Sequence, residues 1–245
     1  MNSVIICEGS TDYALLQYYM RKVHAWEEAG RRGSIIYENN MSRDFIREND
    51  ILTIMSSGGC SNLIKAFENV LIKNHENPQN PSEAINKVVI ITDHDEVGTE
   101  ADFITQINNK LTEYNATPVS IITNNNWTQI SMNTSTGIQM NFDLLVMVIP
   151  FTETGAMETF LLNAISDSDT YDKEIINKGK AFVQSADPQN KYLTKRCYKT
   201  KAEFDAYFCI RTASEQFTER QNILKGIPWE DYPKIQEDFK LLRDL

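Results

Sequence analysis

Apolar residues recur along this chain in two rhythms. Val4–Cys7, Ile51–Met55, Val88–Thr92, Val119–Thr123 and Leu144–Ile149 are nearly continuous apolar runs rich in β-branched residues. Such runs predict strands buried on both faces of a parallel sheet. Between them the spacing turns helical, at Leu15, Leu16, Tyr19, Met20 and Val23, and again at Leu63, Ile64, Phe67, Val70 and Leu71. A first helix is expected to open at Ser10-Thr11-Asp12, with a hydroxyl cap and an acid in its first turn. Further helices are expected over Asn62–Lys73 and from Thr99 to Tyr114.

Residues 25–50 are polar and weakly patterned, which reads as a surface excursion, and Asn77–Ser82 with its two prolines reads as a loop. Alternating runs on either side of Ser135-Thr136-Gly137 predict a hairpin. Strands alternating with helices imply right-handed crossovers and a mostly parallel α/β sheet flanked by helices. From Thr154 onward the pattern is mainly helical. The expected organisation is therefore a core over residues 1–165 and a helical C-terminal portion over 166–245.

Composition narrows the function classes. With 245 residues, 41% hydrophobic and 24% charged, the chain has ordinary globular composition. No apolar run approaches the roughly 20 residues of a membrane span, and the expectation is a cytoplasmic protein without a membrane partner. Cys7, Cys60, Cys197 and Cys209 are scattered and form no CxxC pair, so neither a disulfide framework nor a zinc site is expected. His24, His75 and His94 are too far apart for an HExxH motif. A formal charge of −10 argues against bulk attraction to nucleic acid, but leaves room for a local basic patch.

The candidate chemistry sits at strand ends. In an open parallel sheet ligands bind beyond the carboxyl ends of the strands. Glu8 ends the first predicted strand, and Asp93 and Asp95 end the third. In extended backbone residues two apart share a face, which turns His94 away from both acids. Carboxylates converging to about 4 Å repel by about 1 kcal/mol per pair in water and about 4 kcal/mol at an effective dielectric of 20. Protons, basic side chains or a divalent cation must offset that repulsion. Oxygen-only ligands favour Mg²⁺ or Mn²⁺. Asp12 either serves this site or complements the helix dipole.

The string Val4-Ile5-Ile6-Cys7-Glu8-Gly9-Ser10-Thr11-Asp12 resembles the opening of the TOPRIM family, and Ile90-Ile91-Thr92-Asp93-His94-Asp95 resembles its Asp-x-Asp strand end. Ser57-Gly58-Gly59 matches the glycine turn that the family has after its second strand. The resemblance covers residues 1–125 well and implies a TOPRIM-like fold. Glu8, Asp93 and Asp95 would then be the catalytic residues, with Glu8 as general acid/base and the two aspartates as Mg²⁺ ligands. Gly155-Ala156-Met157-Glu158 resembles an additional glutamate of the small stand-alone bacterial members and the related overcoming-lysogenization-defect nucleases. That resemblance extends the metal set to Asp12 and Glu158; the plain alternative for Glu158 is a first-turn acid favoured by the helix dipole. Ile227-Pro228-Trp229-Glu230-Asp231 is similar to the tails of the stand-alone proteins.

There is no Walker A motif, so an ATPase of the defence-nuclease kind would be a separate chain. Neither a primase zinc ribbon nor topoisomerase strand-gate domains fit the sequence. The expected function is Mg²⁺-dependent phosphodiester hydrolysis of DNA or RNA, and a homodimer is compatible with it.

Two other readings compete. Asp93-His94-Asp95-Glu96-Val97 also matches the haloacid-dehalogenase phosphatase signature, with Asp93 as nucleophile, Asp95 as acid/base and Thr123 as the hydroxyl motif at the next strand end. That family needs a late acid at a strand end, whereas Ser166–Asp172 follows a helix. The other is a non-catalytic TOPRIM module that binds nucleic acid or a protein partner. Lys191, Lys195, Arg196, Lys199 and Lys201, interleaved with Tyr192 and Tyr198, form the best local nucleic-acid candidate, against the plain alternative of a solvated face. Ser56–Cys60 offers either a phosphate cradle or a simple turn. Trp127 and Trp229 read as packing residues.

Overall fold

In a computed structural model that describes residues 1–29, 41–76, 83–214 and 220–245, the described strands all lie within the first 149 residues. The strands are β1 (Asn2–Cys7), β2 (Glu27–Glu28), β3 (Met41–Arg47), β4 (Asp50–Ser56), β5 (Lys87–Asp93), β6 (Ala116–Pro118), β7 (Trp127–Asn133) and β8 (Gln139–Ile149). They form one sheet in the order β2-β3-β4-β1-β5-β8-β7-β6. The central four, β4-β1-β5-β8, are parallel, and antiparallel pairs extend both edges.

The apolar runs are continuous because both faces of the central strands are dry. Ile54, Ile5, Val89 and Leu145 stand in register across the four strands and point into one core. Their neighbours Met55, Ile6, Ile90 and Val146 form the next row and point into the other. Strand period two thus divides one apolar run between two cores. Helices α2 (Cys60–Glu76) and α3 (Thr99–Glu113) cover one face through Leu63, Phe67, Val70, Phe103 and Ile107. The other face is covered by α1 (Ser10–Val23) and by α4 (Met157–Ser168), α6 (Arg196–Arg211) and α8 (Pro233–Asp238), through residues such as Leu16, Phe160, Phe204 and Ile235. Between these lie α5 (Thr170–Ala186) and α7 (Arg220–Gly226). Residues on both sides of position 165 contribute to this second core.

Several expectations are met and several corrected. The hairpin forms, with Gly137 at φ +79° and its N–H donating to the Thr134 carbonyl (2.9 Å). Its second arm and the buried run Leu144–Ile149 are one strand, β8. Val119–Thr123 is not a core strand. Pairing of β6 stops at Pro118, and Val119 and Ile121 are 67% and 84% exposed, so no second layer covers them. The excursion over 25–50 contains β2 and β3. In β3, second from the edge, Asp44 and Phe45 are buried while Met41 and Ile46 are exposed, a strand too sparsely covered to show an apolar period. The cap of α1 is Gly9 rather than a hydroxyl. The loop expected over Asn77–Ser82 lies outside the described residues. Among the described residues no helix is long and apolar enough to cross a membrane.

Trp229 pins the C-terminal helices. It is fully buried beside Phe208 and Tyr232, and its Nε1 donates to the Leu224 carbonyl (2.6 Å). Trp127 is partly buried against the same core. Trp229→Ala should cost about 3–5 kcal/mol of stability, seen as a lower urea midpoint. Trp229→Phe should cost less, because a six-membered aromatic ring is kept while the Nε1 hydrogen bond and the rest of the indole are lost. A loss below about 1 kcal/mol for the alanine variant would separate these helices from the cooperative core.

Candidate carboxylate site

The helices that follow the central strands leave on opposite faces. After β1 the chain enters α1 on one face, and after β5 it enters α3 on the other. Such a divergence between adjacent parallel strands opens a crevice at their carboxyl ends. Glu8 comes level with Thr92, one residue before Asp93, since Cys7 is in register with Ile91. The Thr92 hydroxyl donates to Glu8 Oε2 (3.1 Å), and the Asp93 N–H approaches the same oxygen (3.5 Å).

Two helix starts complete the site. Asp12, in the first turn of α1, is 5% exposed, and its Oδ2 accepts from the Gly9 N–H (2.9 Å). The Met157 N–H, one of the free amides at the start of α4, donates to Asp93 Oδ1 (3.0 Å). The next residue, Glu158, is 4% exposed and accepts from the Thr11 hydroxyl at Oε1 (3.4 Å). Gly155 permits this approach, because a Cβ there would lie 2.8 Å from Thr159. The plain role weighed for Asp12 is real, as it holds the amide before its own helix. Its burial among other acids goes beyond that role.

Charge in this crevice is poorly compensated. Burial pushes Asp93 well above the usual carboxylate range, and Asp12, Glu8 and Glu158 push it further, against the pull of the Met157 N–H. Burial raises Asp12 to about 7, opposed by the Gly9 N–H, reinforced by Glu158 and Glu8 and eased by Lys201. Glu8 is raised by burial, with the Asp93 N–H and Thr92 acting against it and Asp95 adding to it. Among the described residues no lysine or arginine forms an ion pair with Glu8, Asp12, Asp93 or Glu158. Buried, all-oxygen and short of positive charge, this donor set suits a hard divalent cation. As placed, though, no three His, Cys, Asp or Glu among the described residues are grouped closely enough to hold one ion, so coordination needs side-chain movement.

Asp95 stands apart. β5 ends at Asp93, so the period-two rule stops short of it. Its half-exposed side chain is paired with Arg196, whose guanidinium also reaches the Gly155 carbonyl (3.5 Å). His94 is turned aside, with Nδ1 3.0 Å from the Pro150 carbonyl.

The basic stretch divides. Lys191 and Lys195 are exposed and lie over Tyr192 and Tyr198 at 5.0 and 5.7 Å, and Lys199 is exposed too. Arg196 and Lys201 reach the acidic site, Lys201 lining an open cleft of about 420 Å³ with Glu8, Gly9, Ser10, Gly58 and Gly59. Gly58 and Gly59, at φ +76° and +131°, form a turn whose amides are already used. The Ser57 N–H donates to the Cys7 carbonyl (2.8 Å) and the Gly59 N–H to that of Glu8 (2.9 Å). This turn braces β1 rather than cradling phosphate. Thr123 is exposed and lies in no strand, so it does not supply the hydroxyl that the phosphatase reading places at a strand end. Thr11, Thr92 and the Arg196–Asp95 pair were not foreseeable, as only the assembled sheet brings these partners together.

The site thus defines an α/β protein with a buried carboxylate cluster at the carboxyl edge of a mostly parallel sheet. The family described as "Protein of unknown function (DUF3226)" matches residues 2–239, and the chain belongs to that family. No curated protein matches it. The crystal structure of hypothetical protein PH0156 from Pyrococcus horikoshii OT3 is similar in fold, with a TM-score of 0.51 and 16% identity over 98% of this chain and 99% of that one.

The raised aspartates make stability depend on pH. Asp12 and Asp93 hold their protons in the folded chain above the ordinary aspartate value of 3.8 that applies when unfolded. Their contribution is therefore full below about pH 4 and is lost as pH rises through the folded values, near 7 for Asp12. In metal-free buffer the melting temperature should fall from pH 5 to pH 8. Asp93→Asn, which keeps an acceptor for Met157, should flatten that fall and raise the pH 8 melting temperature by ~2–4 °C, the equivalent of about 1 kcal/mol. A steeper fall in the variant would show that Asp93 is ionised and stabilising.

Proposed function

We propose that this protein is a TOPRIM-like, metal-dependent phosphodiester hydrolase acting on DNA or RNA in the cytoplasm. The observation that carries this reading is the convergence of Glu8, Asp12, Asp93 and Glu158, from two strand ends and two helix starts, on one crevice, with no ion pair to a lysine or arginine among the described residues. Asp93, Glu158 and Asp12, with Asp95 from the rim, would hold Mg²⁺ or Mn²⁺. A divalent ion so held supplies Lewis-acid stabilisation of charge on a phosphoryl oxygen.

The chain's own groups supply the rest. Glu8, raised above its ordinary range by burial and hydrogen-bonded by Thr92 at Oε2, is placed to hold or pass a proton at that oxygen. Lys201 lines the cleft, and Lys191, Lys195 and Lys199, close to it in sequence, are exposed. They give a local grip on a polyanion that the net charge of −10 does not. An ATPase, where one is used, would be a separate chain.

The spacing of the acids gives a second reading some support. Because no three are grouped as ligands among the described residues, a non-catalytic TOPRIM module that binds nucleic acid remains the competing class. Labelled single- and double-stranded DNA and RNA incubated with purified protein in Mg²⁺ or Mn²⁺ will separate them. Cleavage should appear and fall by about 10²–10⁴-fold in Glu8→Gln, with a comparable loss in Asp93→Asn. Binding without cleavage under either metal would favour the module.

A further inference from the structure

Of the five acids at this edge, only Asp95 has a cationic side chain paired with it among the described residues. Asp12 and Glu158 are buried and Glu8 and Asp93 are half-buried, each held by neutral donors. Asp95 is instead 48% exposed at its side chain and held by Arg196, itself 41% exposed. A cation has therefore been supplied from within the chain at an acid whose side chain is about half exposed.

Arg196 has little else to hold it there. It is the first residue of α6, follows Lys195 as the cap, and has no acid in the first turn of its helix. Helix starts carry partial positive charge and favour anions, so its own helix repels the guanidinium. Its second contact, the Gly155 carbonyl at 3.5 Å, is a weak one. Gly155 in turn donates to the His94 carbonyl (2.8 Å), which keeps this anchor beside the Asp93-His94-Asp95 segment. A planar guanidinium fits carboxylate and phosphate equally well.

We propose that Arg196 is an exchangeable counter-ion: it neutralises Asp95 in the metal-free protein and turns to a substrate phosphate when Asp95 ligates a divalent cation. This rests on the metal-dependent reading above and adds an order of events to it. The exposure of both partners makes the pair a weak competitor, able to reduce metal affinity by no more than about fivefold. It is a latch that metal opens, and it couples cation loading to the grip on substrate.

The test uses the full chain and Mn²⁺ as probe, with binding followed by calorimetry. Arg196→Gln should bind Mn²⁺ two- to fivefold more tightly than wild type, and Arg196→Lys should restore much of the wild-type affinity. With a fluorescent single-stranded oligonucleotide, Arg196→Gln should match wild type in EDTA. In Ca²⁺ it should bind more weakly, with a salt slope smaller by about one. Circular dichroism checks that both variants are folded. Equal Mn²⁺ affinity in wild type and Arg196→Gln, or an equal oligonucleotide defect with and without Ca²⁺, would overturn the exchange and leave the metal site standing. No Mn²⁺ binding by either protein would overturn both.

Discussion

β1 is flanked by parallel strands on both sides, and its residues Val4 to Cys7 have no access to water. Two dry faces and two occupied edges leave no place along the strand for a charged side chain. Ionisable chemistry can enter the centre of this fold only where the strand stops. Glu8 is the first residue beyond that limit, and Asp93 ends the neighbouring strand. The same constraint fixes the helices, since the two cores must be closed by amphipathic faces whose starts fall at this edge. The site is a consequence of where the sheet ends.

Local stability has been given up at this edge. A chain selected for stability alone would pair Asp12 and Asp93 with basic side chains or replace them with apolar ones. Instead both are buried among like charges and raised well above their ordinary range. The surrounding cores offset that cost. Conflict between local electrostatics and an otherwise consistent fold is a mark of functional sites.

Much of this was legible in the chain. The central strands announced themselves because two-sided burial leaves no polar alternation, and helix periods around Leu15 and Phe67 followed from one-sided burial. Glu8, Asp93 and Glu158 were legible because each sits next to a strand end or helix start that sequence can locate. Less could be read where coverage is partial. β3 buries only Asp44 and Phe45 and looks like a loop, whereas Val119–Thr123 has the composition of a core strand but buries only Ile122 of its apolar residues. Pairings across long separations, such as Thr11 with Glu158 or Arg196 with Asp95, depend on how α4 and α6 dock. Residue spacing carries no trace of that docking.

That docking also sets an order of construction. β1, α1 and β5 all lie within the first 93 residues, whereas α4 begins at Met157 and α6 at Arg196. A ribosome adds about 5–20 residues per second, so the three early acids are made seconds before the helices that enclose them. Through that interval they are hydrated and ionised, and their mutual repulsion is screened. Only the arrival of the late helices strips water from them, so a nascent or truncated chain holds the acids without the crevice.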